Sequence, residues 1–459
     1  MSTDTIPQTV LFPDLFNKPL VATFDQPHAS SDGGAVLLKA AEARYGLIDG
    51  FARCLVDDRQ PGNVQHTLRD LLAQRIDGLA CGHADANDAD RLADDPIHKL
   101  LLDRDPIVGD ALASQPTISR FENRVGVQEL YAMGRELAVR VIERHQRRLQ
   151  GRARRITIDL DPTDDPTHGA QQLTFFNGHD DCWCYLPLLA FLTFDDDGEQ
   201  DLCAALLRPG NVPASRGARG LLQRLLDLLR ITFPQARFRV RLDGGFATPE
   251  ILDFLDGEPR LTYVVAMAEN GVLTRVAEPA MVDARAQSEA SGQTEHVYTE
   301  TRYAARTWRQ ARRVVIKAEV VRLEGRPPRD NGRFVITNGR QSPRCVYEQI
   351  YCARGDVENR IKELHEGLQI GRTSCCRFWA NQLRVLLTAA AYVLMQELRL
   401  RAARTICARA QVTGLRERLL KLGVHVAVSV RRLVLHLPTS TPDVQAWRHI
   451  ALALGARTG

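Results

Sequence analysis

At Arg155 the hydrophobic period of the chain changes. Residues 156–161 read Ile-Thr-Ile-Asp-Leu-Asp, a strict alternation that sets Ile156, Ile158 and Leu160 on one face and Thr157, Asp159 and Asp161 on the other. A strand satisfies that pattern and a helix does not. Upstream the spacing is helical: residues 68–79 repeat apolar side chains at three and four, and Leu130, Met133, Leu137 and Val141 keep that spacing in a long helix that ends in a basic tail. Residues 1–30 carry Pro7, Pro13, Pro19 and Pro27, too many for a helix, and read as an irregular arm.

Beyond the first strand, residues 185–194 and 202–207 are strand-like around the turn Asp195-Asp-Asp-Gly198. Helix, strand, helix and strand follow at residues 220–231, 237–242, 249–255 and 263–267. A three-strand meander followed by strand–helix alternation is the element order of a ribonuclease-H-like domain. The fold class is therefore α/β: a mixed sheet with helices, interrupted by a β-rich insertion, with helical regions at both ends. Residues 314–323 and 333–338 supply the insertion's strands, whereas residues 270–301 show little periodicity and read as irregular and partly mobile. Helical patterns resume at 346–368 and 379–406. The expected divisions are an arm (1–30), a helical DNA-binding or assembly domain (31–152), a core in two parts (153–268 and 343–405), the insertion (269–342) and a basic C-terminal region (406–459).

The formal charge of +4 is a cancellation. Residues 301–459 hold 29 Lys and Arg against 11 Asp and Glu, leaving 31 against 45 for residues 1–300. Such polarity suits a polyanion partner for the basic part, and a solvated basic helix has the same composition. Met1–Ser30 lacks a basic segment followed by an apolar one, so no secretory signal is read. No apolar run approaches the roughly 20 residues of a membrane span. The ten cysteines lack zinc-site spacing and are expected to be reduced thiols in a cytoplasm.

Three carboxylates stand out by position. Asp161 ends the first strand, with Asp159 on the same face as the alternative for its place. Asp243 ends a later strand just before Gly244-Gly245. Carboxylates released at strand ends converge where α/β sheets bind ligands, although each alone is equally a cap or turn aspartate. On the helix at 346–368, Ile350, Val357, Ile361, Leu364 and Leu368 form an apolar stripe beside a row of Tyr351, Arg354, Glu358, Lys362 and His365. A salt-bridged surface helix has the same pattern.

Together, Asp161-Pro-Thr163, Asp243-Gly-Gly-Phe246 and Tyr351-x2-Arg354-x3-Glu358 resemble the three motifs of DDE-type bacterial insertion-sequence transposases. The resemblance is to the subgroup with a Tyr-Arg-Glu signature and a β-rich insertion. Asp164-Asp-Pro-Thr-His-Gly169, Phe175-Phe-Asn-Gly178, Glu358-Asn-Arg-Ile-Lys-Glu363 and Ala380-Asn-Gln382 resemble it too, over roughly residues 20–440. It implies catalytic, metal-binding Asp161, Asp243 and Glu358, with two Mg²⁺ ions for which Mn²⁺ substitutes. Tyr351, Arg354, Lys362 and His365 would be DNA-binding. The partners would be double-stranded DNA, as terminal inverted repeats and target, and further copies of the chain in a dimer or higher multimer. A nucleoid-associated cytoplasmic protein of a bacterium is implied, with a silent DNA-binding descendant and a nuclease without strand transfer as alternatives. The subgroup usually has Lys where this chain has His365, which makes a phosphate contact there weaker or pH-dependent, with Lys362 one turn earlier as a substitute. Trp183 and Trp308 are read as core residues in preference to base-stacking platforms.

Overall fold

The computed structural model describes residues 9–11, 15 and 17–457. An eight-stranded mixed sheet organises it. The strand Arg155–Pro162 lies near the middle, because residues 156–161 are buried on both sides. Its neighbour Arg237–Leu242 runs parallel to it, and Leu261–Met267 runs parallel to that. On the other flank Leu188–Phe194 and then Asp201–Leu206 pair antiparallel. These five strands have ribonuclease-H-like connectivity. The helices Ala218–Thr232 and Pro249–Gly257 make the crossovers between the parallel strands, as parallel pairing requires.

The insertion continues this sheet. Arg329–Thr337 pairs antiparallel with Leu261–Met267, and Arg312–Val321 and Glu295–Tyr303 extend the sheet to its edge. The stretch at 270–301, expected to be irregular, is a 21-residue helix, Gly271–Ser291, followed by the start of the Glu295–Tyr303 strand. Asn270 caps the helix, its Oδ1 accepting from the amides of Val272 and Leu273 at 3.1 Å. Ala280, Met281 and Ala284 pack on Ala318 and Val320. The small alanines and the internal Pro279 blur the periodicity that would announce such a helix.

The other sheet edge, Asp201–Leu206, is covered by the helix Phe378–Arg401, which is buried almost all round. Two glutamines on that helix pair with the edge backbone. Gln382 accepts from the Leu207 amide at 2.7 Å and donates to the Ala205 carbonyl at 3.2 Å, while Gln396 accepts from Leu202 at 3.2 Å and donates to Gln200 at 2.8 Å. An edge strand left bare would pair with another chain. The N-terminal helices, including Leu68–Cys81 and Val127–Leu149, close the layer around this central helix.

The C-terminal region is not wholly helical as expected. Val424–Ser429 and Arg432–His436 form a hairpin whose first strand pairs with Ala29–Ser30, and the helix Val444–Ala453 follows. The irregular arm read at 1–30 lies partly outside the described residues. Within them, Thr9–Leu11 pairs with Leu20–Ala22.

Candidate active site

Asp161 and Asp243 occupy the carboxyl ends of adjacent parallel strands. The register sets Arg241 opposite Asp159, so Asp243, two residues on, follows level with Asp161. Asp243 caps the short helical turn Gly244–Phe246, its Oδ1 accepting from the Gly245 amide at 2.9 Å. A Cβ on Gly245 would lie 2.8 Å from Ala214 Cβ, so the turn needs glycine there. Asp161 is 8% exposed and Asp243 more open.

Asp159, the alternative for the first position, is taken up elsewhere. Its buried carboxylate accepts two hydrogen bonds of 2.7 Å from Nε and Nη2 of Arg241, and Arg241 Nη1 donates to the Ile350 carbonyl at 3.3 Å. The pair anchors the helix above to the sheet.

The helical run at 345–367 carries the third carboxylate and is not the regular helix expected. Wide π turns at Cys345–Tyr351 and Glu363–Gly367 flank a tight turn, Cys352–Arg354, and an α-helical stretch, Gly355–Lys362. Such irregular turns gather at functional sites. Val346, Ile350, Val357 and Leu364 face inward, and Ile361 is half-buried. The far end is fixed by Glu363, whose Oε2 accepts from the Tyr392 hydroxyl and from Arg399 Nη2, each at 2.8 Å.

The polar row divides in space. Arg354 turns inward and donates from Nη2 to Asp161 Oδ1 at 2.6 Å, with Asp243 Oδ2 at 3.8 Å from the same nitrogen. Tyr351 is half-buried beside Tyr347, with ring centroids 5.6 Å apart. Glu358 and Lys362 are exposed. His365 does not join an open row: its half-buried ring holds Thr163 Oγ1 through Nε2 at 2.9 Å.

Burial pushes the Asp161 carboxyl up to about 7. Arg354 pulls it down, and the negative charges of Asp243, Glu358 and Asp159 push it up again. Burial likewise holds the His365 imidazole below its ordinary value and raises the Tyr351 phenol. The carboxylates thus feel one another, and a single guanidinium bridges two of them. Their oxygens do not form a group within 4.8 Å of one another; among the described residues only Asp32, His83 and His98 do. Hard oxygen donors of this kind suit Mg²⁺ or Mn²⁺, which keep several waters.

Residues 12–457 match the family described as transposase DDE domain group 1. The chain belongs to that family. No curated protein matches it in sequence. The transposase is therefore an enzyme of DNA transposition and recombination, built on a ribonuclease-H-like fold, in a family that works with divalent metal. No helix among its described residues is long and apolar enough to cross a membrane.

Other features of the transposase escaped the sequence. Asp32 is a buried hub whose Oδ2 meets Nε2 of His83 at 2.8 Å and of His98 at 2.9 Å, while Lys421 Nζ lies 2.6 Å from Oδ1. Burial opposes its charge, yet these donors hold its carboxyl well below the usual range. A histidine bound to metal through Nε2 normally donates its other N–H, and buried His98 Nδ1 has no partner. With an ammonium already in place, the cluster is an ion-paired junction between the N- and C-terminal segments. Trp183, expected in the core, is 58% exposed beside Phe176, because its short strand lies outside the main sheet. Trp308 is half-buried with the Arg312 guanidinium 5.0 Å from its ring.

Proposed function

We propose that this transposase binds the terminal inverted repeats of an insertion sequence, cuts DNA at its ends and joins the 3′-hydroxyls to target DNA by a cut-and-paste route. One observation carries the reading: two strand-end carboxylates, Asp161 and Asp243, share the guanidinium of Arg354, with Glu358 one helical turn beyond. In this assignment Asp161, Asp243 and Glu358 would hold the divalent ions. The bound ions supply an activated water or hydroxyl nucleophile and stabilise the leaving oxygen.

The chain's own residues then position the DNA. Arg354, which pairs with Asp161 in the structure, would offer its fork to two oxygens of a backbone phosphate. Tyr351 and exposed Lys362 contact neighbouring phosphates, holding register without reading sequence. His365 acts through Thr163, keeping the segment after Asp161 in place. End reading falls to the helical region at 31–152, where the helix Gln115–Arg124 presents Arg120 to solvent, aided by the basic region at 406–459. Two ends held together call for at least a dimer on DNA, in the nucleoid of a bacterial cytoplasm.

The test is a reaction with a duplex carrying the inverted repeats that flank the gene, with Mg²⁺ and a plasmid target. Joined products are expected. Cutting without joining means a nuclease, binding without cutting a silent descendant, and flanks without repeats contradict the reading.

A further inference from the structure

The sheet face that ends in Asp161 and Asp243 begins in arginines. Alternate residues of the strand Arg237–Leu242 share a face, so Arg237, Arg239 and Arg241 form a row that leads to Asp243. On the neighbouring strand Arg155, Thr157, Asp159 and Asp161 run beside them in register. The helical run at 345–367 covers the carboxylate half through Val346, Ile350 and the Arg241 contact. At the other half the face opens into a cavity of about 710 Å³. From Arg237 to Asp243 the distance along the strand is about 20 Å.

Five arginines line the cavity, Arg154, Arg155, Arg237, Arg239 and Arg260, against two carboxylates, Asp195 and Asp196. The carboxylates are already engaged. Asp195 Oδ1 accepts the backbone amides of Arg154 and Arg155 at 2.8 and 2.9 Å, and Asp196 pairs with the Arg155 and Arg154 side chains. Arg237 and Arg239 have no side-chain hydrogen bond or ion pair among the described residues. Arg239 is half-buried, and burial together with the charges of Arg155 and Arg241 lowers its pKa to about 10. Guanidiniums crowded together and partly desolvated without a counter-charge are unfavourable. An anion with several oxygens relieves this, and arginine forks fit phosphate.

We propose that this cavity is a second DNA contact, taking the phosphodiester backbone of a duplex without regard to sequence at the pole of the sheet opposite the carboxylates. The inference rests on the reading of the protein as one that acts on DNA. The aromatic and aliphatic side chains of the lining, Phe238 and Leu261, are buried beneath the surface and offer no face for stacking a base. A backbone is thereby favoured over a free nucleotide.

The test compares the parent with the triple variant Arg237→Gln, Arg239→Gln, Arg260→Gln and with the single, exposed Arg237→Glu, which guards against a folding defect in the triple. Binding of a labelled random-sequence duplex is followed between about 50 and 200 mM salt, where each lost phosphate contact lowers the slope of log affinity by about 0.9. The triple variant is expected to lose about 2–3 from that slope, and Arg237→Glu to weaken binding in the same direction. Parental slope and affinity in both variants would overturn this inference and leave the proposed chemistry standing. A parent that binds no duplex overturns both. If the variants lose only binding of inorganic tripolyphosphate and keep the duplex, the ligand is a free polyanion and the DNA contact is wrong.

Discussion

Arg354 Nη2 stands 2.6 Å from Asp161 Oδ1 and 3.8 Å from Asp243 Oδ2, so one guanidinium balances two carboxylates, and the charge of Glu358 also bears on Asp161. Arg354→Ala leaves that buried acidity uncompensated. Loss of one partner of a buried pair costs about 3–5 kcal/mol, and a divalent cation replaces the lost charge. Thermal unfolding with and without Mg²⁺ is therefore expected to show a low midpoint for the variant without metal and a larger rise on adding metal than the parent shows. Equal metal-induced shifts in both proteins would mean that Arg354 and the ion do not compete for the same oxygens.

Asp159 and Asp161 share a face but not a role. Asp159→Asn is expected to lower stability by about 3–5 kcal/mol in urea denaturation, because Arg241 is left buried without its counter-charge. Cleavage per folded molecule should persist. A variant of undiminished stability and abolished cleavage would move the metal-binding role to Asp159.

Burial raises the Asp165 carboxyl to about 8, opposed by the hydrogen bond from Thr373 Oγ1 at 2.7 Å. A folded-state value above the unfolded one means that its contribution to stability is full below about pH 4 and is lost as pH rises through about 8. Asp165→Asn keeps an acceptor for Thr373 and cannot ionise. Its melting temperature should fall less than the parent's between about pH 6 and 9, and parallel curves would contradict the assignment.

His365 holds Thr163 with a ring that burial keeps neutral near pH 7. His365→Gln preserves a hydrogen-bonding side chain and is expected to cost about 1 kcal/mol or less, with end binding unchanged in its pH dependence from about 6 to 8. A selective loss of binding at the acid end would show that the imidazolium touches phosphate after all.

Much of this architecture is local and so readable from the chain. The alternation at 156–161 marks the central strand, and Asp243-Gly-Gly marks a strand end that turns sharply. What escaped is set by partners far away. Arg241 and Asp159 lie 82 positions apart, and neither pattern alone says that they pair. Nothing in an apolar stripe distinguishes a 3.6-residue turn from the wide turns at 345–351 and 363–367. The hairpin at 424–436 is joined at its first two residues by Ala29–Ser30 from the opposite end of the chain. Gly271–Ser291 hides behind its alanines and Pro279, and its signals are the caps, Asn270 at its start and the left-handed Gly292 at its end.

In the proposed reaction Asp161, Asp243 and Glu358 act together as the ligands of the divalent ions. The most direct test is the initial rate at which parent, Asp161→Ala, Asp243→Ala and Glu358→Ala cut a duplex bearing the element's end in Mg²⁺ or Mn²⁺. Removing a ligand forfeits several kcal/mol of charge stabilisation, so each variant, folded as the parent is, should be slower by at least about a hundredfold. Parental rates in any one of the three would remove that residue from the metal-binding set.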